Sequence, residues 1–259
     1  MSASSSTPLP WKSAWITGAS SGIGYELALR LAAGGCAVAA SARSADKLDQ
    51  LAKQNPLITP YPLDVRDADA NQRTVADMIA AKGVPDLVIL NAGIGYFKNA
   101  ARMDADRFRE AFEINVIGMG NGLAAIVPPM VERGSGQIAL MGSLAGYRGF
   151  PRAVHYAPTK AAIRSMADCL RFDLEPKGID VSLVTPGYIE TPLTQDLEVP
   201  KPGLMPLAPA IDKIMAGLVR KQFLVAVPWH IALLVRTGAK VSNATYFTMT
   251  RWLLSRGEQ

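Results

Sequence analysis

Short apolar runs alternate with longer stretches of helical period along the chain, and this pattern predicts the fold class. The apolar runs predict seven strands, at residues 13–17, 36–41, 57–61, 85–90, 136–141, 179–184 and 222–227. The helical periods predict six helices, near residues 23–33, 45–54, 67–82, 104–127, 156–175 and 209–221. Because parallel strands need long right-handed crossovers, this alternation favours an α/β fold, a doubly wound parallel sheet with helices on both faces.

One folded domain, residues 11–228, is expected, since the chain has no internal repeat and no linker long enough to divide it. Residues 1–10 are small, polar and contain proline, which predicts a flexible tail and argues against a secretory signal. Residues 189–209 hold five prolines and predict a loop that acts as a lid. Residues 229–259 extend past the last predicted strand, and we expect them to add a helical C-terminal extension to the same domain.

Composition indicates the kind of protein and the compartment to expect. The chain has 259 residues, of which 49% are hydrophobic and 19% charged, which is enough to bury a full core. Its two cysteines, Cys36 and Cys169, show no metal-ligand spacing, so a reducing compartment and no metal are expected. No apolar stretch reaches the roughly 18 residues that a membrane span needs. A cytoplasmic protein is therefore expected, at most peripheral to a membrane.

The formal net charge of +5 is concentrated near the C-terminus. Residues 211–259 contain seven Lys and Arg residues and only two acidic residues, Asp212 and Glu258. In the rest of the chain the positive and negative charges are equal in number. No basic helix is interleaved with stacking aromatic residues, which argues against nucleic acid as a partner.

A glycine cluster stands where the first predicted strand turns into the first helix, in "TGASSGIG" at residues 17–24. Amide N–H groups and the helix dipole at such a turn favour an anion such as phosphate. Gly18 would allow the turn, Gly22 a close approach of the backbone to the phosphate, and Gly24 tight packing of helix on strand. The spacing is GxxxGxG, which differs from the GxGxxG dinucleotide fingerprint.

Two further motifs lie at the predicted carboxyl edge of the sheet, where ligands of open α/β folds bind. Asn91-Ala92-Gly93 closes the fourth strand. Tyr156 and Lys160, in "YAPTK", are four residues apart and share one helix face. Pro158 is tolerated only in a first turn, so this helix should begin close to Tyr156.

Two polar residues complete the candidate chemistry. Ser143 follows the fifth strand and can reach the same crevice. Asn115 lies inside a long predicted helix, where asparagine is a poor helix former and needs another reason to be present.

Taken together, these motifs resemble those of the short-chain dehydrogenase/reductase family. The resemblance covers about residues 11–227 and rests on TGxxxGxG at 17–24, NAG at 91–93, Asn115, Ser143, Tyr156, Lys160, "PG" at 186–187 and Thr191. It implies a Rossmann-like fold, a nicotinamide cofactor and hydride transfer between that cofactor and a carbonyl or alcohol.

The resemblance also implies roles for individual residues. Tyr156 would be the general acid/base, with Lys160 lowering its pKa and holding the nicotinamide ribose. Ser143 would bind the substrate oxygen, and Asn115 would position a water next to Lys160. By the same resemblance, the cofactor-binding residues are Gly18, Ser20, Ser21, Gly22, Ile23, Gly24, Arg43, Asp64, Val65, Asn91, Ala92, Gly93, Tyr156, Lys160, Pro186, Gly187, Ile189 and Thr191. The acid/base role also follows from chemistry, because a nearby ammonium stabilises a phenolate.

The residues after the second strand indicate which cofactor is used. NAD-preferring sites usually place a carboxylate about 18 to 20 residues beyond the glycines, but here Ala42 stands there and Arg43 follows. A guanidinium suits a 2′-phosphate, so NADP(H) is favoured over NAD(H). Ser21 stands where many NADP-dependent relatives carry a second basic residue. Asp64 is assigned either a contact to the adenine amino group or a cap on the following helix.

The predicted substrate pocket is mostly apolar and aromatic, which favours a hydrophobic ketone or secondary alcohol over a sugar. Its lining is expected from Ile94 to Phe97, from Leu144 to Arg152 and from Tyr188 to about Leu207, with Ile94, Ala145, Phe150, Tyr188 and Leu193 as its main residues. Arg148 and Arg152 could contact an acidic group or stay solvated, and His155 should point away from the chemistry.

Other readings stay open at this point. The chain could be a non-catalytic NADP(H)-binding sensor or scaffold, or an epimerase or dehydratase of nucleotide sugars, although such enzymes generally carry a larger C-terminal domain. The extension resembles those of microsomal hydroxysteroid dehydrogenases and related lipid-handling reductases. It could cover the core, pack a dimer or dock a lipid-carbonyl reductase on a membrane surface. A homodimer or homotetramer is expected.

Overall fold

The computed structural model describes residues 8–195, 197 and 201–257, with side chains through residue 252, and contains a seven-stranded parallel sheet. The strands are β1 Ser13–Thr17, β2 Ala37–Ala42, β3 Ile58–Pro62, β4 Leu87–Leu90, β5 Gly136–Met141, β6 Ile179–Pro186 and β7 Leu224–Val227. Their order is β3-β2-β1-β4-β5-β6-β7. The strand order therefore changes direction between β1 and β4, although the strands stay parallel. At such a switch point an open α/β sheet forms a crevice.

Helices cover both faces of this sheet, which confirms the predicted doubly wound class. They are α1 Gly22–Ala33, α2 Ala45–Ala52, α3 Ala68–Lys82, α4 Ala105–Phe112, α5 Gly118–Arg133, α6 Ala157–Leu174, α7 Pro192–Gln195, α8 Leu207–Val219, α9 Trp229–Gly238 and α10 Asn243–Gly257. Successive strand residues point to opposite faces. Trp15 and Ile16 are accordingly both fully buried, Ile16 in the layer under α1, α2 and α8 and Trp15 in the layer under α3, α5 and α6.

The helix expected at residues 104–127 runs further than predicted. A π-helical turn, Glu113–Ile117, joins α4 to α5, and α5 continues through Pro128 and Pro129 to Arg133. The predicted end at residue 127 is wrong because burial of Ile126 and Met130 outweighs the hydrogen bonds that the prolines cannot donate.

This continuous helix is the one described segment that is long and apolar enough to cross a membrane by length and composition. Half of its most apolar window is buried in the protein, where α5 packs against α3 and the sheet. It is accordingly a core helix of this fold, and its length is weak support for a span.

The two ends of the chain and the proline-rich loop are described in part. Residues 1–7 of the predicted tail lie outside the described residues, as do residues 196 and 198–200 of the predicted loop. That loop is more ordered than its prolines indicated, since it contains α7 and a bridge between Ile189 and Met205. Beyond β7 the extension is helical, as predicted, and consists of α9 and α10.

Candidate active site

The glycine turn after β1 has a backbone that other residues would not adopt. Gly18 and Gly22 have φ values of +69° and +58°, in the left-handed region that favours glycine. A Cβ on Gly18 would lie 2.7 Å from the Cα of Ala92, and a Cβ on Gly24 would collide with the carbonyl oxygen of Gly18. Side chains here would push α1 away from β1 and β4, so the glycines keep the N-terminus of α1 against the sheet edge.

Asn91 fastens this turn to the end of β4. Its side-chain amide donates to the carbonyls of Thr17 and Gly18, at 3.1 Å each. In return the Thr17 hydroxyl accepts from the backbone N–H groups of Asn91 and Ala92, at 3.0 and 3.1 Å. Thr17, which sequence analysis took only as the first letter of the glycine motif, therefore joins both halves of the crevice.

The π-helical turn explains the asparagine inside the long helix. Asn115 is fully buried, and its side chain accepts from the Ile94 N–H at 2.8 Å and donates to the Ile94 carbonyl at 2.9 Å. It also donates to the Thr159 hydroxyl at 3.0 Å, which in turn donates to the Tyr156 carbonyl at 2.7 Å. Asn115 thus links the segment after β4 to the first turn of α6. Sequence analysis missed Thr159, which stands three residues after the tyrosine on the same helical turn.

Tyr156 lies immediately before the first residue of α6, with Pro158 in the first turn, as predicted. It is 8% exposed. Burial raises the pKa of Tyr156 to about 12, and a hydrogen bond with the Ser143 side chain lowers it in part. The expected lowering of this pKa by Lys160 is therefore wrong for the protein as described, because the effect of burial dominates. The Ser143 hydroxyl also accepts from the Ala145 N–H at 3.1 Å and donates to the Pro186 carbonyl at 3.4 Å. These bonds hold the serine beside the phenol.

Lys160 reaches the same place from one turn further along α6. Its Nζ atom donates to the Met141 carbonyl at 2.8 Å and lies 5.6 Å from the centre of the Tyr156 ring. A Cβ on Gly93 would lie 3.6 Å from this Nζ. Burial lowers the pKa of Lys160 to about 8. The structure therefore brings all four residues predicted for catalysis to the carboxyl edge of β4 and β5.

Apolar residues surround the phenol on its other side. The rings of Phe97 and Tyr156 are 5.1 Å apart, and Ala145 and Phe150 belong to the same cluster. A Cβ on Gly95 would lie 2.8 Å from the Phe97 ring, 3.2 Å from Leu193 and 3.3 Å from the Tyr156 ring. The predicted pocket residues thus converge around Gly95, which sequence analysis included only within a range.

Two further predicted pocket residues lie close by. The backbone of Ile94 is held by Asn115 in the manner given above. Burial raises the pKa of Tyr188, and the charge of its phenolate would raise the pKa of Tyr156. Ile94 and Tyr188 are both half-buried.

The segment after β6 lies across the glycine turn. Pro186 ends β6, the Gly187 N–H donates to the Val227 carbonyl at 2.7 Å, and Ile189 is buried. A Cβ on Gly22 would lie 3.5 Å from the Cβ of Thr191. Thr191 therefore lies against Gly22 of the glycine turn, which also contains Ser20, Ser21 and Ile23.

Two charged residues follow β2 and β3 at the same edge of the sheet. Arg43 follows β2 and is exposed, and it forms no ion pair with any residue that the structure describes. Asp64 is held by Arg66, whose hydrogen bonds lower the pKa of that carboxyl. The cap of α3 is Asp67, which accepts from the Ala70 N–H at 2.8 Å, so the capping alternative for Asp64 is wrong. Local sequence could not separate two aspartates three residues apart.

Val65 lies between these aspartates and is buried. Its carbonyl accepts from the side-chain amides of Asn71 and Asn121, at 3.0 Å each. The backbone beside Asp64 is therefore fixed to α3 and α5.

Two residues next to the site have structural partners. His155 is fully buried and accepts from the Asp104 N–H at 3.2 Å, on the side of Phe108. This placement agrees with the expectation that it points away from the chemistry. Arg148 is half-buried and donates to three backbone carbonyls of the C-terminal extension. It is therefore neither a solvated residue at a pocket mouth nor free to bind an acidic group.

The chain is similar in sequence to known oxidoreductases. A family model described as short chain dehydrogenase matches residues 12–201. An uncharacterized oxidoreductase of Myxococcus xanthus is 34% identical over 249 residues, which cover 95% of this chain and 98% of that protein.

Solved structures agree with the sequence comparisons. A short-chain dehydrogenase from Streptomyces avermitilis superposes with a TM-score of 0.80 at 28% identity, covering 96% of this chain and 98% of that one. An alcohol dehydrogenase from Thermococcus sibiricus, solved with 5-hydroxy-NADP, has a TM-score of 0.75 at 26% identity, covering 83% and 95% of the two chains.

Proposed function

The chain belongs to the short-chain dehydrogenase/reductase family, and we propose that it is an NADP(H)-dependent oxidoreductase acting on a hydrophobic ketone or secondary alcohol. The observation that carries this proposal is the position of Tyr156. Its buried phenol is hydrogen-bonded to Ser143, faces an apolar cluster and lies beside the Lys160 ammonium. Such a phenol can exchange a proton with a substrate oxygen.

The protein's own groups divide the work of proton transfer. A pKa of about 12 keeps the Tyr156 phenol protonated at neutral pH, which is the state that carbonyl reduction needs. The Ser143 hydroxyl would donate a hydrogen bond to the substrate oxygen and hold that oxygen against the phenol. As the phenol gives up its proton, the Lys160 ammonium stabilises the phenolate. Asn115 holds the Ile94 backbone and Thr159, so it positions both walls of the site.

The residues present fit a nicotinamide dinucleotide. Gly18 and Gly24 hold the start of α1 against the sheet edge, and Gly22 lies opposite Thr191 with no side chain of its own between them. Amide N–H groups at the start of α1 suit the pyrophosphate, and the segment Asn91 to Gly93 would lie along the ribose. When bound, the cofactor supplies or accepts the hydride.

Arg43 supports NADP(H) as the form that binds. It is exposed, forms no ion pair among the described residues and follows the uncharged Ala42, so its guanidinium could bind a 2′-phosphate. The carboxylate near it, Asp64, is hydrogen-bonded to Arg66. The solved relatives include both NADP and NAD complexes, so the proposed preference rests on Arg43.

The substrate class follows from the lining around Gly95. Phe97, Leu193 and the Tyr156 ring all approach this glycine, and Phe150 extends the apolar wall. A sugar would leave its hydroxyl groups without partners against such a wall, at a cost in binding free energy.

A panel of substrates tests the proposal. Aromatic and aliphatic ketones, the matching secondary alcohols and polar sugars would each be offered with NADPH or NADP⁺, and reduced cofactor followed by its absorbance. We expect turnover of apolar ketones above that of sugars. Cofactor binding without turnover of any compound would point to a sensor, and preferred turnover of sugars would contradict the apolar substrate class.

A further inference from the structure

The C-terminal helices α9 and α10 concentrate apolar side chains in solvent. Six of the twelve large exposed hydrophobic residues among those described lie within residues 229–252, and each is at least 52% exposed: Trp229, Leu233, Leu234, Phe247, Met249 and Trp252. The other six are spread over residues 103–219. A concentration of this kind marks an interaction surface, since single exposed apolar residues are ordinary on proteins. These six residues, with the basic residues named next, are called the C-terminal face.

Basic residues lie in the same C-terminal segment. Arg236, Lys240 and Arg251 are exposed, and the chain contains no Asp or Glu from residue 213 to residue 257. Trp229, Leu233 and Arg236 follow one another at about one helical turn each, so they form one stripe along α9. The face therefore combines an apolar surface with uncompensated positive charge.

The face is fixed to the body of the enzyme. The Arg148 guanidinium donates to the carbonyls of Gly238, Ala239 and Val241 at the end of α9, at 3.3, 3.3 and 2.9 Å. It also donates to Asn243, the first residue of α10, at 2.6 Å. Arg148 belongs to the loop after Ser143, so the two helices have a set orientation next to the predicted substrate pocket.

We propose that the C-terminal face docks the enzyme on an anionic lipid bilayer. Tryptophan side chains at an apolar and basic surface suit the headgroup region, where the ring is buried and the indole N–H stays hydrated. Arg and Lys bind anionic headgroups, while the apolar residues enter the acyl boundary.

The charge of the face argues against a second copy of this chain as its occupant. In a two-fold contact the same patch of each copy is used, so the interface would collect six cations, Arg236, Lys240 and Arg251 from each copy. Like charges placed together in this way oppose association. An anionic surface removes that repulsion.

Vesicle co-sedimentation of the full chain tests the proposal without any need for turnover. The vesicles would be phosphatidylcholine alone, or phosphatidylcholine and phosphatidylglycerol in equal parts, in about 0.1 M and about 1 M salt, because screening shortens the reach of the charges. We expect pelleting with the anionic vesicles at low salt and loss of pelleting at high salt. Each basic residue near the surface adds about 1 kcal/mol, or about fivefold in partitioning. Arg236→Glu combined with Lys240→Glu should therefore weaken binding at least about 25-fold.

Matched variants separate the face from general stickiness. The double variant Leu233→Ser and Leu234→Ser should also reduce vesicle binding. The double variant Lys53→Glu and Lys82→Glu should reduce vesicle binding much less than Arg236→Glu with Lys240→Glu does. Lys53 and Lys82 are exposed and lie on the side of β2 and β3, at the opposite edge of the sheet from β7 and the extension. The apolar control is Met103→Ser, which removes a side chain that is 51% exposed outside the C-terminal face.

Tryptophan fluorescence gives a second readout. Trp11 and Trp15 are buried, whereas Trp229 and Trp252 lie on the C-terminal face. Anionic vesicles should shift the emission to shorter wavelength, and the combined Trp229→Phe and Trp252→Phe variant should lose the shift. Absence of pelleting and of the shift would overturn the proposal, as would equal binding to neutral vesicles. If the wild type does not bind vesicles and the Leu233→Ser, Leu234→Ser variant sediments as a smaller oligomer than the wild type, the C-terminal face binds a second copy of the chain instead.

Discussion

The Arg148 guanidinium carbon lies 3.9 Å from the centre of the Tyr246 ring, and the Tyr246 hydroxyl donates to the Gly149 carbonyl at 2.8 Å. One residue belongs to the loop after Ser143, the other to the last helix. This stacking adds to the hydrogen bonds that Arg148 makes to the end of α9, where the helix dipole favours a cation. The extension is therefore held by the loop that follows the proposed catalytic serine.

Arg148→Ala should loosen the extension before it affects the rest of the fold. Charge-assisted hydrogen bonds contribute about 1.5 to 3 kcal/mol. We therefore expect the free energy of local opening of the extension to fall by about 2 kcal/mol. Hydrogen exchange of the amides in residues 238–246 would report it. Arg164→Ala is the control, because Arg164 also stacks on a tyrosine, at 4.2 Å, and that tyrosine, Tyr147, lies outside the extension. Equal exchange rates in wild type and Arg148→Ala would contradict the anchoring.

Tyr156→Phe removes the proposed proton donor while keeping the ring that packs on Phe97. Turnover should fall at least about 100-fold, the low end for general acid–base catalysis, with NADPH affinity kept. Steady-state kinetics and a cofactor titration measure the two quantities. Tyr147→Phe, a hydroxyl removal in the same segment, should cost far less. A Tyr156→Phe enzyme with wild-type turnover would rule out the mechanism.

Arg43→Ala should weaken NADPH binding and leave NADH binding nearly unchanged. The bond to a 2′-phosphate is worth about 1.5 to 3 kcal/mol, or roughly ten- to more than a hundredfold in Kd. Titration of both cofactors by fluorescence gives the ratio. Arg66→Ala is the comparison, since Arg66 holds Asp64 and its loss should affect both cofactors alike. Equal losses for the two cofactors in Arg43→Ala would remove the assignment, as would a wild-type preference for NADH.

The pH dependence of carbonyl reduction should follow Lys160. Reduction needs a protonated phenol, and the pKa of Tyr156 at about 12 supplies it throughout the neutral range. It also needs the Lys160 ammonium, and because burial lowers that pKa to about 8, the ammonium is present below about pH 8 and lost above it. A plot of kcat/KM against pH should therefore be level at neutral pH and decline above about 8.

Lys160→Arg provides the check on that assignment. An arginine stays charged at all accessible pH values. The variant should be slower, but its decline should move to higher pH. A decline at the same pH in both proteins would assign it to another group.

Gly95→Ala should reduce the space for substrate. The new methyl group would meet the Phe97 ring at 2.8 Å and Leu193 at 3.2 Å, so one or both must move into the proposed pocket. We expect KM for bulky ketones to rise at least about tenfold, more than for small ketones, with cofactor affinity unchanged. Gly149→Ala is the matched control, because a Cβ there has no atom within 4 Å among the described residues. Equal effects on large and small ketones would place Gly95 outside the pocket.

The sequence by itself determined the sheet, the helices on both faces and the positions of the motifs. These features depend on local properties: apolar runs make buried strands, periodicity makes helices, and Pro158 sets the start of α6 beside Tyr156. The turn at Gly18 was predictable for the same reason, since a left-handed φ requires glycine. The catalytic and cofactor roles of the motif residues stay predictions from the family resemblance.

Only the tertiary structure decided what each polar residue contacts. Asn115, in a π-helical turn, bonds the backbone of Ile94, and Arg148 is a structural anchor because α9 ends beside it. Neither contact has a local signal, since the partners are distant in sequence and meet only when the helices pack on the sheet. For the same reason α5 continues through Pro128: the free energy of burying Met130 is a property of the packed core and not of the sequence around the proline.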